Sequence, residues 1–311
     1  MGLAEIRGRL QVGFGGTLEE GVPLASYTTF RIGGPAGLLA IPRGIEDLMR
    51  LLEVTVEYGA SLLVLGRGSN TLVSDRGFDG VVAVLSGGLG RITRKAEYEV
   101  YVESGCDLNK LVAWTIEMGM AGLEQLSGIP GSLGGAVRMN AGAMGSDIGH
   151  LVESVNVMRL SKRKVESKHL KHEDIGFGYR STNLGESDVI YGVEIKLAQE
   201  SSEVLDSRRR EVMSWRRENQ PLERPSAGSV FKNPPGISAG ELIERCGLKG
   251  MRVGEAAVSG KHANFIVNLG GARADDVYGL MMRIKDEVYR REGIELEEEI
   301  RLVGEMGEDN T

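Results

Sequence analysis

Several stretches of this chain bring together residue types that can do chemistry. The first is Pro225-Ser226-Ala227-Gly228-Ser229-Val230-Phe231-Lys232-Asn233-Pro234. Gly228 lets the backbone approach a ligand closely or take an angle that other residues avoid. Ser229 then presents a hydroxyl at the bend, and Val230 and Phe231 have strand character. Lys232 and Asn233 add a cation and an amide before Pro234 ends the segment. Alone, a Gly-Ser pair is more often an ordinary loop than a site; its weight comes from what accompanies it.

Two glycine loops accompany it. Leu62-Leu63-Val64-Leu65 reads as a buried strand running into Gly66-Arg67-Gly68-Ser69-Asn70. Consecutive small residues in such a turn can aim several backbone N–H groups at one anion, with Ser69 and Asn70 adding side-chain donors. The second loop is Gly128-Ile129-Pro130-Gly131-Ser132-Leu133-Gly134-Gly135-Ala136. A helix starting near Gly131 would turn free N–H groups and its positive dipole end toward a phosphate. Two such loops suit a pyrophosphate; a tight turn or a glycine-rich packing corner is the plainer alternative for each. Neither is a Gly-x-Gly-x-x-Gly fingerprint or a P-loop, since Thr71 stands where the third glycine would and no Gly-Lys-Ser/Thr occurs. Arg180, within Phe177-Gly178-Tyr179-Arg180-Ser181-Thr182-Asn183, suits a carboxylate or phosphate.

The elements that must position these residues follow from periodicity. Helices are predicted over Ile45 to Tyr58, from an Asp107 cap to about Gly119, over Ser202 to Asn219, from a Ser238/Glu241 capping box to Cys246, and over Ala274 to Glu292. Strands are predicted at Thr28 to Ile32 ahead of Gly33-Gly34, at Val81 to Leu85, Tyr98 to Glu103, Val152 to Met158, Val189 to Leu197, Met251 to Val258, Phe265 to Leu269, and Leu296 to Val303. In that last strand, alternation puts Leu296, Glu298, Ile300 and Leu302 on one face, with Glu298 escaping to solvent, and Glu297, Glu299 and Arg301 on the other. The break at Gln220-Pro221 and Pro225 marks entry into a last domain, and only the final half-dozen residues read as a tail.

Composition narrows the classes. With 45 glycines in 311 residues, glycine is at roughly twice its usual ~7% share, without period or Pro/Ser excess. The net charge of −7 argues against a nucleic-acid footprint. Cys106 and Cys246 form no disulfide framework, and the scattered His150, His169, His172 and His262 give no metal-ligand pattern. No metal is expected. The N-terminal residues lack an apolar signal core, and no apolar run nears the ~18 residues of a membrane span, so a cytoplasmic chain without membrane or nucleic-acid partners is expected.

Taken jointly, several motifs resemble one family in order and spacing. They are Thr28 to Gly34, Gly66 to Asn70, Gly128 to Gly135, Tyr179-Arg180, Gly228-Ser229 with Phe231-Lys232-Asn233-Pro234, Lys261 to Asn268, and Leu296 to Gly304. The chain resembles the UDP-N-acetylenolpyruvoylglucosamine reductases of bacterial cell-wall precursor synthesis over roughly residues 20–304. The resemblance implies an α+β chain. Residues 1–205 would form a two-subdomain FAD-binding region of the vanillyl-alcohol-oxidase-like type (about 1–95 and 96–205), and residues 206–311 a small α+β substrate-binding domain.

It also implies a reaction: NADPH reduces FAD, and hydride then passes to the vinyl carbon of UDP-GlcNAc enolpyruvate, giving UDP-N-acetylmuramate. By the resemblance Ser229 gives the proton, Arg180 stabilises the enolate, and Glu299 completes the site, with Lys232 and Asn233 binding substrate. Gly66, Arg67, Gly68, Ser69, Asn70, Gly128, Ile129, Pro130, Gly131, Ser132, Gly134 and Gly135 would hold FAD. Neither glycine loop contains a His or Cys tether, so the flavin is expected to be non-covalent, and the chain a monomer. Where many relatives read Tyr-Arg-x-Ser-x-Phe, this chain has Thr182 and Leu184. The short interval from Arg180 to Ser229 fits the subgroup without an extra tyrosine-bearing loop. Another FAD-linked oxidase or dehydrogenase on the same fold, and a non-catalytic flavin or nucleotide-sugar binder, are the competing readings.

Overall fold

The computed structural model describes residues 2–162 and 164–307. The end of the predicted tail, 308–311, lies outside the described residues. The chain divides into two compact units. The first comprises residues 1–21, 37–67 and 79–214; the second comprises 22–36, 68–78 and 215–311. A single cut at 205 therefore does not describe the partition: two early segments, 22–36 and 68–78, group with the C-terminal residues.

The first unit is built on two larger sheets, beside two two-stranded pairs. A four-stranded sheet runs in the order Thr17–Glu20, Ala36–Ile41, Phe78–Val84, Leu62–Leu65, its last pair parallel. Helix α1 (Leu3–Gln11) and helix α2 (Ile45–Glu57) pack with it, the latter through Leu48, Leu51 and Leu52 at helical spacing. A five-stranded antiparallel sheet runs Val165–Lys171, Val152–Leu160, Asp188–Lys196, Glu99–Glu103, Ile92–Arg94. Met158 and Val189 of that sheet join the core around α2. Its central strands and helix α3 (Leu108–Glu117) enclose the second core of the unit, with Leu111, Val112, Val155 and Val193 almost fully buried. Asp107 caps α3 by accepting from the Lys110 N–H at 2.9 Å, as predicted. Helix α4 (Leu133–Arg138) is a short turn after the second glycine loop. The unit ends within helix α5 (Ser202–Asn219).

The second unit is organised on helix α7 (Ala274–Glu292), whose bounds match the predicted ones. Val277, Leu280, Met281, Ile284 and Val288 face the core at helical spacing, and Gly293 ends the helix in the left-handed conformation. Helix α6 (Ala239–Arg245) starts from Ser238, whose hydroxyl accepts from the Glu241 N–H at 3.1 Å. A small antiparallel sheet joins Arg252–Val253, Ala256–Val258 and Ile266–Asn268. The predicted strand Met251–Val258 is thus a hairpin that turns at Gly254-Glu255.

Early segments are integral to this unit. Phe30, Ile32 and Leu72 lie in the same core as Val230 and α7. Asp75 accepts from the N–H groups of Ala274 and Asp275 at 3.0 and 3.2 Å, and so caps α7 from 199 residues away. Asn268 donates to Phe30 O at 3.0 Å while accepting from Gly270 and Ala272. Thr71–Val73 pairs in parallel with Arg301–Val303.

Three further predicted strands differ. Thr28 to Ile32 is not a strand: the Thr28 hydroxyl donates to Ile32 O at 2.8 Å and Arg31 has φ +56°, which curls the segment. At Val230-Phe231 there is no regular strand, only isolated bridges of Ser229 with Phe265 and of Phe231 with Glu298. The closing strand is confined to Arg301–Val303.

Replacing Asn268 by Ala leaves Phe30 O, a buried carbonyl, without its donor. We expect a loss of about 1–3 kcal/mol of unfolding free energy, read by denaturant or thermal unfolding, with little effect on flavin content in protein that remains folded.

Candidate active site

In the second unit, the residues around Ser229 are held by peptide pairing on both edges. On one edge the Val230 N–H donates to Asn264 O at 2.9 Å. The Asn264 side chain continues the pairing: its Oδ1 accepts from the Phe231 N–H at 3.0 Å and its Nδ2 donates to Phe231 O at 2.8 Å. A buried amide thus imitates a neighbouring strand. On the other edge, Val230 O accepts from the Glu299 N–H at 2.7 Å, and the Lys232 N–H donates to Glu297 O at 2.8 Å. Gly228, just before Ser229, has φ +77°, the left-handed bend that its residue type allows. Ser229 and Glu299 are both partly exposed.

The three adjacent acids separate in role. Glu297 is ion-paired with Lys232. Glu298 does not escape to solvent: it is partly buried, and Lys285 of α7 donates to its Oε1 at 2.6 Å. Glu299 is fixed through its backbone, since its carbonyl also accepts from Asn70 Nδ2 at 3.0 Å and the next residue but one, Arg301, donates to Asn70 O at 2.9 Å. The Asn70 amide, predicted as a flavin donor, is therefore engaged in holding Glu299. Asn233, predicted to bind substrate, uses its Oδ1 to accept from the Ala239 N–H at 3.0 Å and so anchors α6.

In the first unit the two glycine loops meet. A Cβ at Gly66 would collide with Ser132 Oγ, so only glycine permits this approach. Ser86 Oγ donates to Gly66 O at 3.0 Å, and Arg67 is ion-paired with the α3 cap Asp107. Asn109 straps the second loop to α3, accepting from the Gly128 N–H at 2.7 Å and donating to Ile129 O at 3.0 Å. Helix α4 corrects one expectation. Its first N–H groups are not free for a phosphate: Leu133 donates to Cys106 O, Gly134 to Ser104 O, and Gly135 to Ser132 Oγ. Gly134 is there for packing, since a Cβ would lie 2.8 Å from Ser104 Cβ. Among the described residues, the N–H groups of Gly66, Arg67, Gly131 and Ser132 have no protein acceptor. In the second unit the same is true of Gly68, Ser69 and Asn70.

Arg180 is also carried by the first unit. Tyr179 and Arg180 form the tip of a two-residue turn closed by the Gly178 N–H to Ser181 O bond at 3.0 Å and its reciprocal at 3.3 Å. Arg180 has φ +53°, its Nη2 donates to Gly142 O at 2.8 Å, and its guanidinium lies 5.3 Å from the Tyr179 ring centre. Thr182 donates to Arg138 O at 3.0 Å, and Leu184 is buried.

Two positioning residues escaped the sequence reading, Asn264 and Asn109. Asn264 had a visible signal: an amide inside the apolar run Ala263-Asn264-Phe265-Ile266-Val267 must find partners if buried. Asn109, on an exposed helix start, had none.

Comparison with known proteins gives concordant results. Residues 36–162 match the family model described as "FAD binding domain", and residues 220–303 match "UDP-N-acetylenolpyruvoylglucosamine reductase, C-terminal domain". The chain is 43% identical over 301 residues to the UDP-N-acetylenolpyruvoylglucosamine reductase of Chloroherpeton thalassium, covering 94% of each chain. It is 44% identical over 290 residues to reductase 2 of Symbiobacterium thermophilum, covering 93% of each. The crystal structure of UDP-N-acetylenolpyruvylglucosamine reductase from Thermus caldophilus aligns with a TM-score of 0.80 and 38% identity, over 93% of this chain and all of that one.

The first unit fits FAD. Its unengaged loop N–H groups at Gly66, Arg67, Gly131 and Ser132 are donors of the kind that can receive a pyrophosphate. Burial pushes the nearby Cys106 thiol up to about 11, which disfavours its thiolate. Gly66→Ala should force the two loops apart. Its flavin absorbance after gel filtration should fall well below that of the parent protein, while full retention would mean that the Gly66–Ser132 approach does not shape the flavin site.

Proposed function

Because the chain belongs to the UDP-N-acetylenolpyruvoylglucosamine reductase family, we propose that it reduces UDP-GlcNAc enolpyruvate to UDP-N-acetylmuramate with NADPH, for peptidoglycan precursor synthesis. It is an FAD-containing oxidoreductase. The chemistry supplied by bound FAD is relay of a hydride from NADPH to the terminal vinyl carbon of the substrate. The balance is one NADPH and one proton consumed, NADP+ released, and the enolpyruvyl ether converted to a lactyl ether.

The protein's own task is charge and proton control at the carbon beside that terminus. As the methyl group forms, negative charge develops there and spreads into the substrate carboxylate. Arg180 offsets that charge, worth most in a site from which water is excluded. Ser229 Oγ gives the proton to the carbon and recovers one from solvent. A serine hydroxyl is a poor acid, so it works only at short range in a pre-organised geometry. Glu299 orients that donor, and Lys232 helps to bind the substrate. The same reading carries a cytoplasmic, monomeric enzyme with no membrane or nucleic-acid partner.

One observation supports these roles above the others. The Glu299 N–H is bonded at 2.7 Å to the carbonyl of Val230, the residue after Ser229, so donor and carboxylate are carried on directly paired segments.

Under anaerobic conditions NADPH should bleach the yellow protein, and the enolpyruvyl nucleotide should restore the colour. Ser229→Ala should leave bleaching near normal and slow recolouring by roughly 10²–10⁴-fold, the range for loss of a general acid. Glu299→Gln should slow recolouring selectively as well. Equal slowing of both half-reactions would make Ser229 a structural residue, and absence of recolouring in the parent protein would remove the reading altogether.

A further inference from the structure

Asn140 lies just past Met139, the C-terminal cap of helix α4, and combines three features. It is 4% exposed, it has φ +42°, and both ends of its side chain are engaged. The left-handed position after a helix is usually filled by glycine, with asparagine the next choice. Here the asparagine side chain has work beyond tolerating the angle. Its Oδ1 accepts from the Gly149 N–H at 2.9 Å, and its Nδ2 donates to Gly178 O at 2.9 Å.

Gly178 is one end of the turn that presents Tyr179 and Arg180. Just beyond the other end, Thr182 donates to Arg138 O, on the last residue of α4. The Arg180 guanidinium itself bonds Gly142 O, two residues after Asn140. The turn is therefore strapped on both sides to the C-terminal end of α4. The N-terminal end of that six-residue helix is Ser132, whose hydroxyl abuts Gly66.

We propose that Asn140 is a positioning residue for Arg180, fixing the arginine turn to the helix that leaves the flavin loop. The inference rests on the role assigned to Arg180 under the proposed function. Without the amide, the Gly149 N–H loses its acceptor, Gly178 O keeps only the 3.3 Å bond from Ser181 within the turn, and the turn drifts. A misplacement of about 1 Å can cost on the order of 10²-fold in rate.

The test uses the FAD-loaded full chain and Asn140→Gly, which keeps the left-handed backbone and removes only the amide. NADPH bleaching should stay at the parent rate while substrate-driven recolouring falls roughly 10–100-fold. In an Arg180→Ala background, adding Asn140→Gly should change recolouring by less than about two-fold, as expected of residues acting through one another. A second readout needs no turnover: trypsin cleavage after Arg180 in the native protein, followed by mass spectrometry, should accelerate in Asn140→Gly and stay accelerated in Asn140→Asp, which keeps the acceptor for Gly149 but cannot donate to Gly178 O. Equal slowing of both half-reactions, or the same fold-loss with and without Arg180, would overturn the proposal. If Arg180→Ala alone recolours normally, it is the role of Arg180 that fails; unchanged trypsin cleavage in Asn140→Gly then overturns the strap itself.

Discussion

The peptide between Val230 and Phe231 is the constraint on which the second unit's chemistry depends. Its N–H and C=O groups are buried, so each must be paired at a cost of about 1–3 kcal/mol if it is not. No regular strand is available to pair them, because Gly228 bends the chain on one side and Pro234 stops it on the other. Asn264 resolves this by lending a side-chain amide as a substitute strand partner, while Glu297 and Glu299 supply the opposite edge. The same bonds that satisfy the backbone therefore fix where Ser229 and Glu299 stand. That is what a weak proton donor needs, since its effectiveness depends on short range and little reorganisation. Segments from early in the chain brace the arrangement: Asn70 holds both Glu299 and Arg301, and Thr29 donates to Ser226 O at 2.7 Å.

The first unit solves a different problem, that of presenting bare N–H groups. Helix α4 would be the expected anion site, yet its first donors are turned inward onto Ser104 and Cys106 to seat the helix on its sheet. The donors left over belong to the loops before it. Those loops can close on each other only because Gly66 has no side chain. Glycine enrichment in this chain thus reflects close backbone approach as much as ligand contact, and the two roles alternate along one loop: Gly131 keeps an unengaged N–H while Gly134 fills a packing corner.

Much of this was legible in the sequence. Helices α2, α3 and α7 fell where apolar spacing and caps put them, because helix formation here is decided by local signals such as Asp107, Ser238 and Gly293. Central strands such as Val152–Leu160 and Asp188–Lys196 were also readable from their apolar character. The edge strand Val165–Lys171 was not, since Glu166, Lys168, His169 and Lys171 give it no buried face to betray. Thr28 to Ile32 looked like a strand but is curled by one hydroxyl bond and one positive φ, features that no pattern carries. The residue types at the candidate site were visible, whereas their grouping was not. Which lysine takes Glu297 or Glu298, that Asn70 serves Glu299, and that residues 22–36 and 68–78 belong with the C-terminal unit all depend on pairings across more than ten residues to more than two hundred.

The Ser229 segment is rigid because it is paired on both edges, although it belongs to no regular strand. Amide hydrogen exchange reads this directly, as protection follows the free energy needed to open each bond. The amides of Val230, Phe231, Lys232 and Glu299 should exchange as slowly as those in the core of α7, and all four should speed up together in Asn264→Ala. Exchange of these amides at the rate of the exposed turn at Glu186-Ser187 would contradict it.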